Sequence, residues 1–111
     1  MGNLNYISVI AKILEVPSSI QLKQNNLSLY FVTFRVQLPS FKKQCFYPIL
    51  TLIVWGSLAY EIIGYYKVND YVLIEGHMHF QSTEVENYQE KSIIINVRKI
   101  FPFFLNNQNY I

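Results

Sequence analysis

The sequence is poor in the residues on which several kinds of functional site depend. Its one cysteine, Cys45, excludes an internal disulfide and a multi-cysteine metal site and suits a reducing compartment. Its four glycines stand apart from one another, so it has no glycine-rich loop that could bind phosphate. Charged residues make up 14% of the chain, against about 25% in a typical globular domain. A small domain with so few charged residues has too few of them to cover its surface, so we expect part of that surface to contact another subunit.

Long apolar runs are also missing. The longest stretch without a charged residue is 44–60, which contains Pro48 and Gly56. It falls short of the roughly 20 apolar residues that a membrane-spanning helix needs. The sequence shows neither the basic start and apolar core of a signal peptide nor an Arg- and Ser-rich transit segment. We therefore expect no membrane span and no cleaved signal.

The net charge of +2 is small but unevenly distributed. Residues 1–47 carry five basic side chains and one acidic one, whereas residues 48–111 carry four basic and six acidic ones. A surplus of this size is typical of an ordinary solvated surface and does not by itself indicate a nucleic-acid partner.

Alternation of apolar and polar residues runs through most of the chain and predicts β-strands. In the stretch 49–55 the residues are apolar on both faces, with Trp55 pointing away from Leu52 and Val54. Gly76 falls inside a strand pattern and predicts a bulge or bend there. The predicted strands are 6–13, 30–38, 49–55, 71–81 and 93–101. Residues 17–19 are predicted to break the strand pattern, 23–26 to form a polar turn and 81–92 to form a polar hairpin loop.

Between the third and fourth predicted strands the apolar period becomes helical. Ser57 is placed to cap a short helix that ends near Asn69 and Asp70. The helix places three apolar residues on one face: Leu58, Ile62 and Tyr65. We therefore predict an all-β domain, a five-stranded barrel of the oligonucleotide/oligosaccharide-binding (OB) type with one short helix between strands 3 and 4. The predicted domain spans residues 1–103, and residues 104–111 form a short C-terminal tail.

Candidate catalytic or metal-binding groups are few. His77 and His79 lie on one strand face with Glu75 beside them, which allows three metal ligands. A metal site normally needs more convergent ligands and supporting hydrogen bonds, so ordinary outward polar residues are the simpler interpretation. Cys45 has no identifiable catalytic partner. We predict no enzymatic activity, no bound metal and no other cofactor.

Aromatic residues interleaved with basic ones form the stronger signal. Single-stranded nucleic acid binds to basic grooves with exposed rings, because each base that stacks on a ring contributes roughly 1–3 kcal/mol. Trp55 is the best candidate because it faces outward. The alternative is that these rings belong to the core or to a subunit interface. The outward or loop aromatic residues are Phe31, Phe41, Phe46, Tyr47, Trp55 and Tyr88, with Arg35, Lys42 and Lys43 among the first four.

Two motifs at a fixed separation resemble the bacterial-type single-stranded DNA-binding proteins (SSB). In that family a strand ending in Trp or Phe leads into a Leu-Ala helix start, and a later strand ends in Glu-Gly, as in 52–59 (LIVWGSLA) and 72–76 (VLIEG). The stretch 5–13 resembles the family's first strand, with Ala11 in place of a usual glycine. The resemblance spans about residues 5–103. The residues read mainly from A/T-rich codons (Phe, Tyr, Met, Ile, Asn and Lys) number 50, against 12 for Gly, Ala, Arg and Pro, which indicates an A/T-rich genome. Short plastid-encoded members of the family are similar in length and share this bias.

The resemblance implies an OB-fold, assembly as a homotetramer, and aromatic residues on which bases stack. Trp55 matches the aromatic residue that ends the family's third strand. Phe41, followed by two lysines, lies near the aromatic residue after the second strand. The family's aromatic residue after the fourth strand falls at Thr83, which is not aromatic; Phe80 or Tyr88 are possible substitutes. Near the aromatic residue that precedes the third strand lie Phe46 and Tyr47.

We therefore predict sequence-independent binding of single-stranded DNA during replication, recombination or repair, by a homo-oligomer that is a tetramer or a dimer. The predicted location is a plastid, with a bacterial cytoplasm as the alternative. Bases are expected to stack on Trp55, Phe41 and Tyr47, with Phe46 and Tyr88 as further candidates. Phosphates are expected to contact Lys42, Lys43, Arg35 and Lys12.

Two departures from the family favour a different function. The sequence has fewer basic residues than family members do, and it ends at Ile111 without their acidic tip. The alternative is an OB-fold adaptor of the primosome type, which binds proteins and has weak or no affinity for nucleic acid. An enzyme built on His77, His79 and Glu75 is a third, more remote interpretation.

Overall fold

Six strands and one short helix lie within the residues that the computed structural model describes, which are 5–24, 27–39 and 48–106. They are β1 (Tyr6–Ile13), β2 (Ser18–Gln24), β3 (Leu27–Gln37), β4 (Ile49–Trp55), α1 (Ser57–Ile62), β5 (Tyr71–Val85) and β6 (Tyr88–Phe104).

Five of the strands pair in a closed ring. β1 pairs with β3 and β5, β3 pairs with β4, and β5 pairs with β6, all antiparallel. A parallel pairing of β4 with β6 closes the ring. The helix follows β4, the third strand of the ring. This arrangement confirms the predicted five-stranded OB barrel with a helix between its third and fourth strands.

β2 is a strand that the sequence analysis did not predict. Pro17 and the polar residues 23–26 indicate a break, yet Ser18–Gln24 pairs along its whole length with β3. Its side chains are mostly exposed, as at Ile20. Backbone pairing rather than an apolar face holds this strand, so the alternation that reveals the other strands is missing here.

The apolar faces predicted for the ring strands meet inside the barrel. Phe34 and Leu52 face the interior from β3 and β4, and Ile74 faces it from β5, each almost fully buried. Ala59 and Ile62 of α1 belong to the same core. Burial of one such large aliphatic or aromatic side chain stabilises the fold by about 1.5–3 kcal/mol, so this interior is the main source of stability.

α1 is shorter than predicted. Its N-cap residue is Gly56 rather than Ser57, and no side chain caps it. The helix ends at Ile62, well before the predicted end near Asn69, so Tyr65 lies beyond it. On the exposed side, the ring of Tyr60 stacks on Tyr30 with centroids 4.2 Å apart and planes 6° from parallel. This stack ties the short helix to β3.

The predicted loop at 81–92 is wrong, because most of these residues belong to the paired strands of the β5–β6 hairpin. Pairing continues to Val85 and Tyr88, and the chain reverses at Glu86 and Asn87, whose φ angles are 47° and 71°. Positive φ at both central residues is typical of the two-residue turns that suit the strand twist. Exposed polar residues dominate this part of the hairpin, so it shows no apolar alternation.

The irregularity predicted at Gly76 is confirmed. The β5–β6 register shifts between Glu75 and Gly76, since Gly76 lies opposite Val97 and Glu75 opposite Lys99. A Cβ atom at Gly76 would collide with the backbone carbonyl oxygen of Asn96. Glycine is therefore required by the close approach of β6.

Within 5–24, 27–39 and 48–106, no helix is long and apolar enough to cross a membrane. The division into a domain, 1–103, and a tail, 104–111, stays a prediction.

Candidate nucleic-acid interface

Trp55 ends β4 on the outer face of the barrel, as predicted. Its side chain is 45% exposed, and its ring packs against Phe31, with centroids 4.6 Å apart and a tilt of 37°. Gly56 follows with φ 67° and ψ −138°, a conformation that glycine adopts more readily than any other residue. The strand therefore ends directly after Trp55, and the indole lies at the rim of the sheet.

The indole of Trp55 is also held by a hydrogen bond. Its Nε1–H donates to Oδ1 of Asn96 over 3.2 Å. Asn96 lies on β6 opposite Ile53, the outward neighbour of Trp55 on β4. On the other side of Asn96, its Nδ2 atom lies 3.4 Å from Nδ1 of His79 on β5. The ring is thus flanked by Phe31 of β3 and by Asn96 of β6, on opposite sides of β4, and its exposed part faces solvent.

These side chains form one continuous outer surface across four strands. We call it the Trp55 face, and it consists of Phe31, Thr33, Ile53, Trp55, Asn96 and His79. It combines aromatic, aliphatic and neutral polar groups with a histidine. Such a surface suits the planar faces and polar edges of nucleobases better than it suits phosphate groups.

Arg35 lies on the same outer face of β3, beyond Thr33, but it is already paired. Its Nε and Nη2 atoms lie 3.3 Å and 3.1 Å from Oε2 of Glu15, and its backbone N–H donates to Oε1 over 3.0 Å. Hydrogen bonding from Arg35 lowers the pKa of the Glu15 carboxyl, and the same bonding raises the pKa of Arg35. The predicted phosphate ligand therefore carries its own counter-charge.

Lys12 extends this surface to the far end of β3. It lies opposite Gln37, six residues along β3 from Phe31, which corresponds to about 20 Å of strand. The three described candidates, Lys12, Arg35 and Trp55, therefore lie along one outer row that follows β3. A nucleic-acid strand running along β3 would meet all three.

The remaining predicted site residues fall where the structure gives no description. The connection between β3 and β4 contains Phe41, Lys42, Lys43, Phe46 and Tyr47, all outside the described residues. The side chain of Tyr88 is also outside them. The ends of the connection are placed, because the backbone N–H of Leu38 donates to the carbonyl oxygen of Pro48 over 2.8 Å. The connection therefore begins and ends near Lys12, at the end of the row opposite Trp55.

Asn96 and His79 are the site residues that the sequence analysis missed. Asn96 is one polar residue in an apolar strand, and only the β4–β6 register brings it to Trp55. His79 was considered only as a metal ligand, together with His77 and Glu75. Glu75 instead accepts a hydrogen bond from the hydroxyl of Tyr6 over 3.1 Å, and the Tyr6 and His77 rings meet edge-on. In the described part of the chain, no three His, Cys, Asp or Glu side chains converge on a metal position.

A related sequence decides the family. "Putative single-stranded DNA-binding protein ycf41" from Trieres chinensis is 33% identical over 107 residues, which cover 94% of this chain and 93% of that protein. The chain belongs to the single-stranded DNA-binding protein family. The resemblance carried by 52–59 and 72–76 is thereby confirmed. No family model matches the sequence.

Solved structures show the same fold. The small single-stranded DNA-binding protein of Streptomyces coelicolor superposes with a TM-score of 0.66 at 16% identity and covers 88% of this chain and 93% of its own. An SSB domain from Synechococcus sp. gives 0.69 at 23% identity, with 90% and 97% covered. The second single-stranded DNA-binding protein (SSBb) of Mycobacterium smegmatis gives 0.65 at 20%, with 88% and 87% covered. At these identities the likeness extends to the SSB fold alone.

Proposed function

We propose that this chain binds single-stranded DNA without sequence preference and that a base stacks on Trp55. The observation that carries the proposal is the indole itself, which is nearly half exposed although Phe31 and Asn96 hold it in place. A ring held in this way loses little freedom when a base stacks on it, so the roughly 1–3 kcal/mol of a stacking contact is largely retained. Every base has a π-face, so base identity matters little.

The phosphate contacts follow the same row. Arg35 lies on the outer side of β3, and Lys12 of β1 lies opposite Gln37 of β3. Lys42 and Lys43 belong to the connection that starts beside Lys12. The connection also supplies the further stacking candidates Phe41, Tyr47 and Phe46, and Tyr88 is a last candidate at the far hairpin. The strand of DNA would run from this connection along β3 to Trp55.

The protein would coat exposed single strands during replication, recombination or repair, and it would make or break no covalent bond. A plastid location is supported by the A/T-rich codon bias of the composition and by the ycf41 relative. A bacterial cytoplasm is the alternative.

A homo-oligomer, a tetramer or a dimer, is supported by the surface around β1. Only Lys12 and Ile13 of β1 pair with β3 in the described residues, so the outer edge of most of β1 has no strand beside it there. Next to this edge lies a mostly apolar surface cavity of about 550 Å³, whose lining includes Ile10, Leu73 and Phe103. Light scattering at micromolar concentration tests this part of the proposal, and a monomer would contradict it.

Titration with oligo-dT tests the binding function directly, because Trp55 is the only tryptophan. We expect saturable quenching of its fluorescence, and weaker binding at about 200 mM than at about 50 mM salt, since phosphate contacts release counterions. A folded protein that shows no quenching at low salt and no binding by a second method would contradict the proposal. That result would favour the adaptor, in which the Trp55 face binds a protein.

A further inference from the structure

We propose that Asn96 and His79 are positioning residues for Trp55. They form a directed chain of hydrogen bonds that fixes the indole, and this chain requires a neutral His79. The effect of the chain on DNA binding rests on the proposed function, whereas its effect on the indole does not.

The chain crosses three strands. It runs from Nε1–H of Trp55 on β4 to Oδ1 of Asn96 on β6 over 3.2 Å. It continues from Nδ2 of Asn96 to Nδ1 of His79 on β5 over 3.4 Å. Phe31 packs against the same indole. The packing limits how far the ring can tilt, and the hydrogen bond selects which edge of the indole turns towards β6.

The direction of the chain follows from the donors and acceptors available. The indole N–H can only donate, so the Asn96 amide must turn its oxygen towards Trp55. Its NH₂ group then faces His79 and needs an acceptor there, which only an unprotonated Nδ1 supplies. A protonated His79 would present a second N–H to this NH₂ group. If the amide rotated to accept that N–H, it would turn its NH₂ group towards the indole N–H. Protonation of His79 therefore breaks one of the two bonds.

Among the described residues, the hydrogen bond to Asn96 is the main polar contact of His79. On β5 its outward neighbours are His77 and Gln81, and on β6 they are Ile94 and Asn96. β4 contributes Ile53 and Trp55, which are uncharged. Beyond His77, the charged groups are Glu75, which accepts a hydrogen bond from the hydroxyl of Tyr6, Lys99, which lies opposite Glu75, and Arg98. None of these charged groups lies between His79 and Trp55.

The first test uses the free protein and the single indole N–H signal in NMR. Histidine changes its charge between about pH 8 and about pH 5, so lowering the pH over that range should move the signal and make its exchange with water faster relative to that of a free indole at the same pH. Asn96→Ala should bring the exchange close to that of a free indole at every pH, because the acceptor is gone. His79→Gln supplies an oxygen acceptor that does not titrate, so the signal should stay in place. His77→Gln is the matched control and should retain the wild-type response.

A wild-type signal that does not respond to pH would overturn the proposal. A response that survives in Asn96→Ala or His79→Gln would overturn it as well, because the effect would not travel through these residues.

The second test measures oligo-dT binding in a double-mutant cycle. We expect Asn96→Ala to weaken binding about 2- to 10-fold, the range of one neutral hydrogen bond. Trp55→Phe keeps an aromatic ring but has no N–H, so adding Asn96→Ala to it should cost nothing more. An equal loss in both backgrounds would show that Asn96 acts on the fold and not on the indole. If the wild-type protein does not bind oligo-dT, the proposed function fails, while the NMR test still decides the hydrogen-bond chain.

Discussion

Glu15 holds Arg35 by its side chain and by its backbone at the same time. One carboxylate oxygen receives the guanidinium group at 3.1 Å and 3.3 Å, and the other receives the backbone N–H at 3.0 Å. Both side chains are substantially exposed, so the pair contributes little to stability. Its main consequence is electrostatic, because a carboxylate lies beside the cation that the sequence predicts as a phosphate ligand.

Removing this carboxylate should strengthen binding. We expect Glu15→Gln to bind oligo-dT about 2- to 5-fold more tightly at low salt and with a steeper salt dependence, since Arg35 is then free to replace counterions on the DNA. Fluorescence titration at two salt concentrations measures both effects. Glu61→Gln, which removes an exposed carboxylate from α1, is the control. An equal gain in both variants would mean that net charge alone is responsible and that Arg35 lies off the path of the DNA.

Gly76→Ala should destabilise the barrel. The new methyl group would collide with the backbone of Asn96 rather than with a flexible side chain, so β6 must shift. We expect a loss of about 1–3 kcal/mol in the free energy of unfolding, as for other overpacked interiors, measured by urea denaturation. Gln81→Ala, at an exposed position of the same strand, should stay within about 0.5 kcal/mol of wild type. A Gly76→Ala protein as stable as wild type would show that β6 does not approach so closely.

Asp70 should be a second point of sensitivity, because it is buried and ties two segments together. Its Oδ2 accepts the backbone N–H of Lys67 over 2.8 Å, and its Oδ1 accepts that of Asn106 over 2.7 Å. Asp70→Asn keeps the shape but leaves one of these N–H groups facing an amide NH₂. We expect a loss of about 1.5–3 kcal/mol, the range for hydrogen bonds to a charged group. Urea denaturation checks this, and a loss no larger than that of Glu61→Gln would contradict it.

The ionisation of Tyr66 should lower the stability of the fold at alkaline pH. Burial, followed by the proximity of Tyr65 and Asp70, raises the pKa of Tyr66 to about 12, whereas an unfolded tyrosine has a pKa of about 10. Between these values the unfolded chain loses this proton more readily than the folded protein, so the free energy of unfolding falls as the pH rises from about 10 to about 12.

Urea denaturation at several alkaline pH values tests the role of Tyr66. Tyr66→Phe should remove this part of the pH dependence, while Tyr60→Phe, at an exposed position, should leave it in place. Identical pH profiles for wild type and Tyr66→Phe would contradict the prediction.

The sequence predicts those parts of the fold in which burial is one-sided. β1 and β4 have the predicted bounds, because β1 alternates along its length and β4 is an apolar run that ends where Gly56 follows Trp55. β2 and the outer half of the β5–β6 hairpin were missed, because backbone pairing holds them and their side chains leave no apolar pattern. The short α1 was overextended because Tyr65 continues the helical spacing in the sequence although the chain has already turned.

The site was predictable to the same extent. Successive side chains of a strand point to opposite faces. This repeat predicted that Trp55 lies on the outer face, away from Leu52 and Val54, and the structure confirms that orientation. Its hydrogen-bond partner Asn96 could not be predicted, because a parallel pairing between distant strands has no local signature and a shift by one residue would turn Asn96 inward. The stacking and phosphate roles of residues in the connection 40–47 stay predictions.

The parallel pairing of β4 with β6 also sets when the site can form during folding. The Trp55–Asn96 hydrogen bond joins positions 41 residues apart, and contacts of such long sequence separation form slowly because a large loop must close first. The indole therefore reaches its final surroundings only after the last strand of the barrel has docked. On the ribosome, a chain whose β6 has not yet emerged would carry Trp55 without its acceptor and outside a closed barrel, so the Trp55 face would be complete only once that strand has left the exit tunnel.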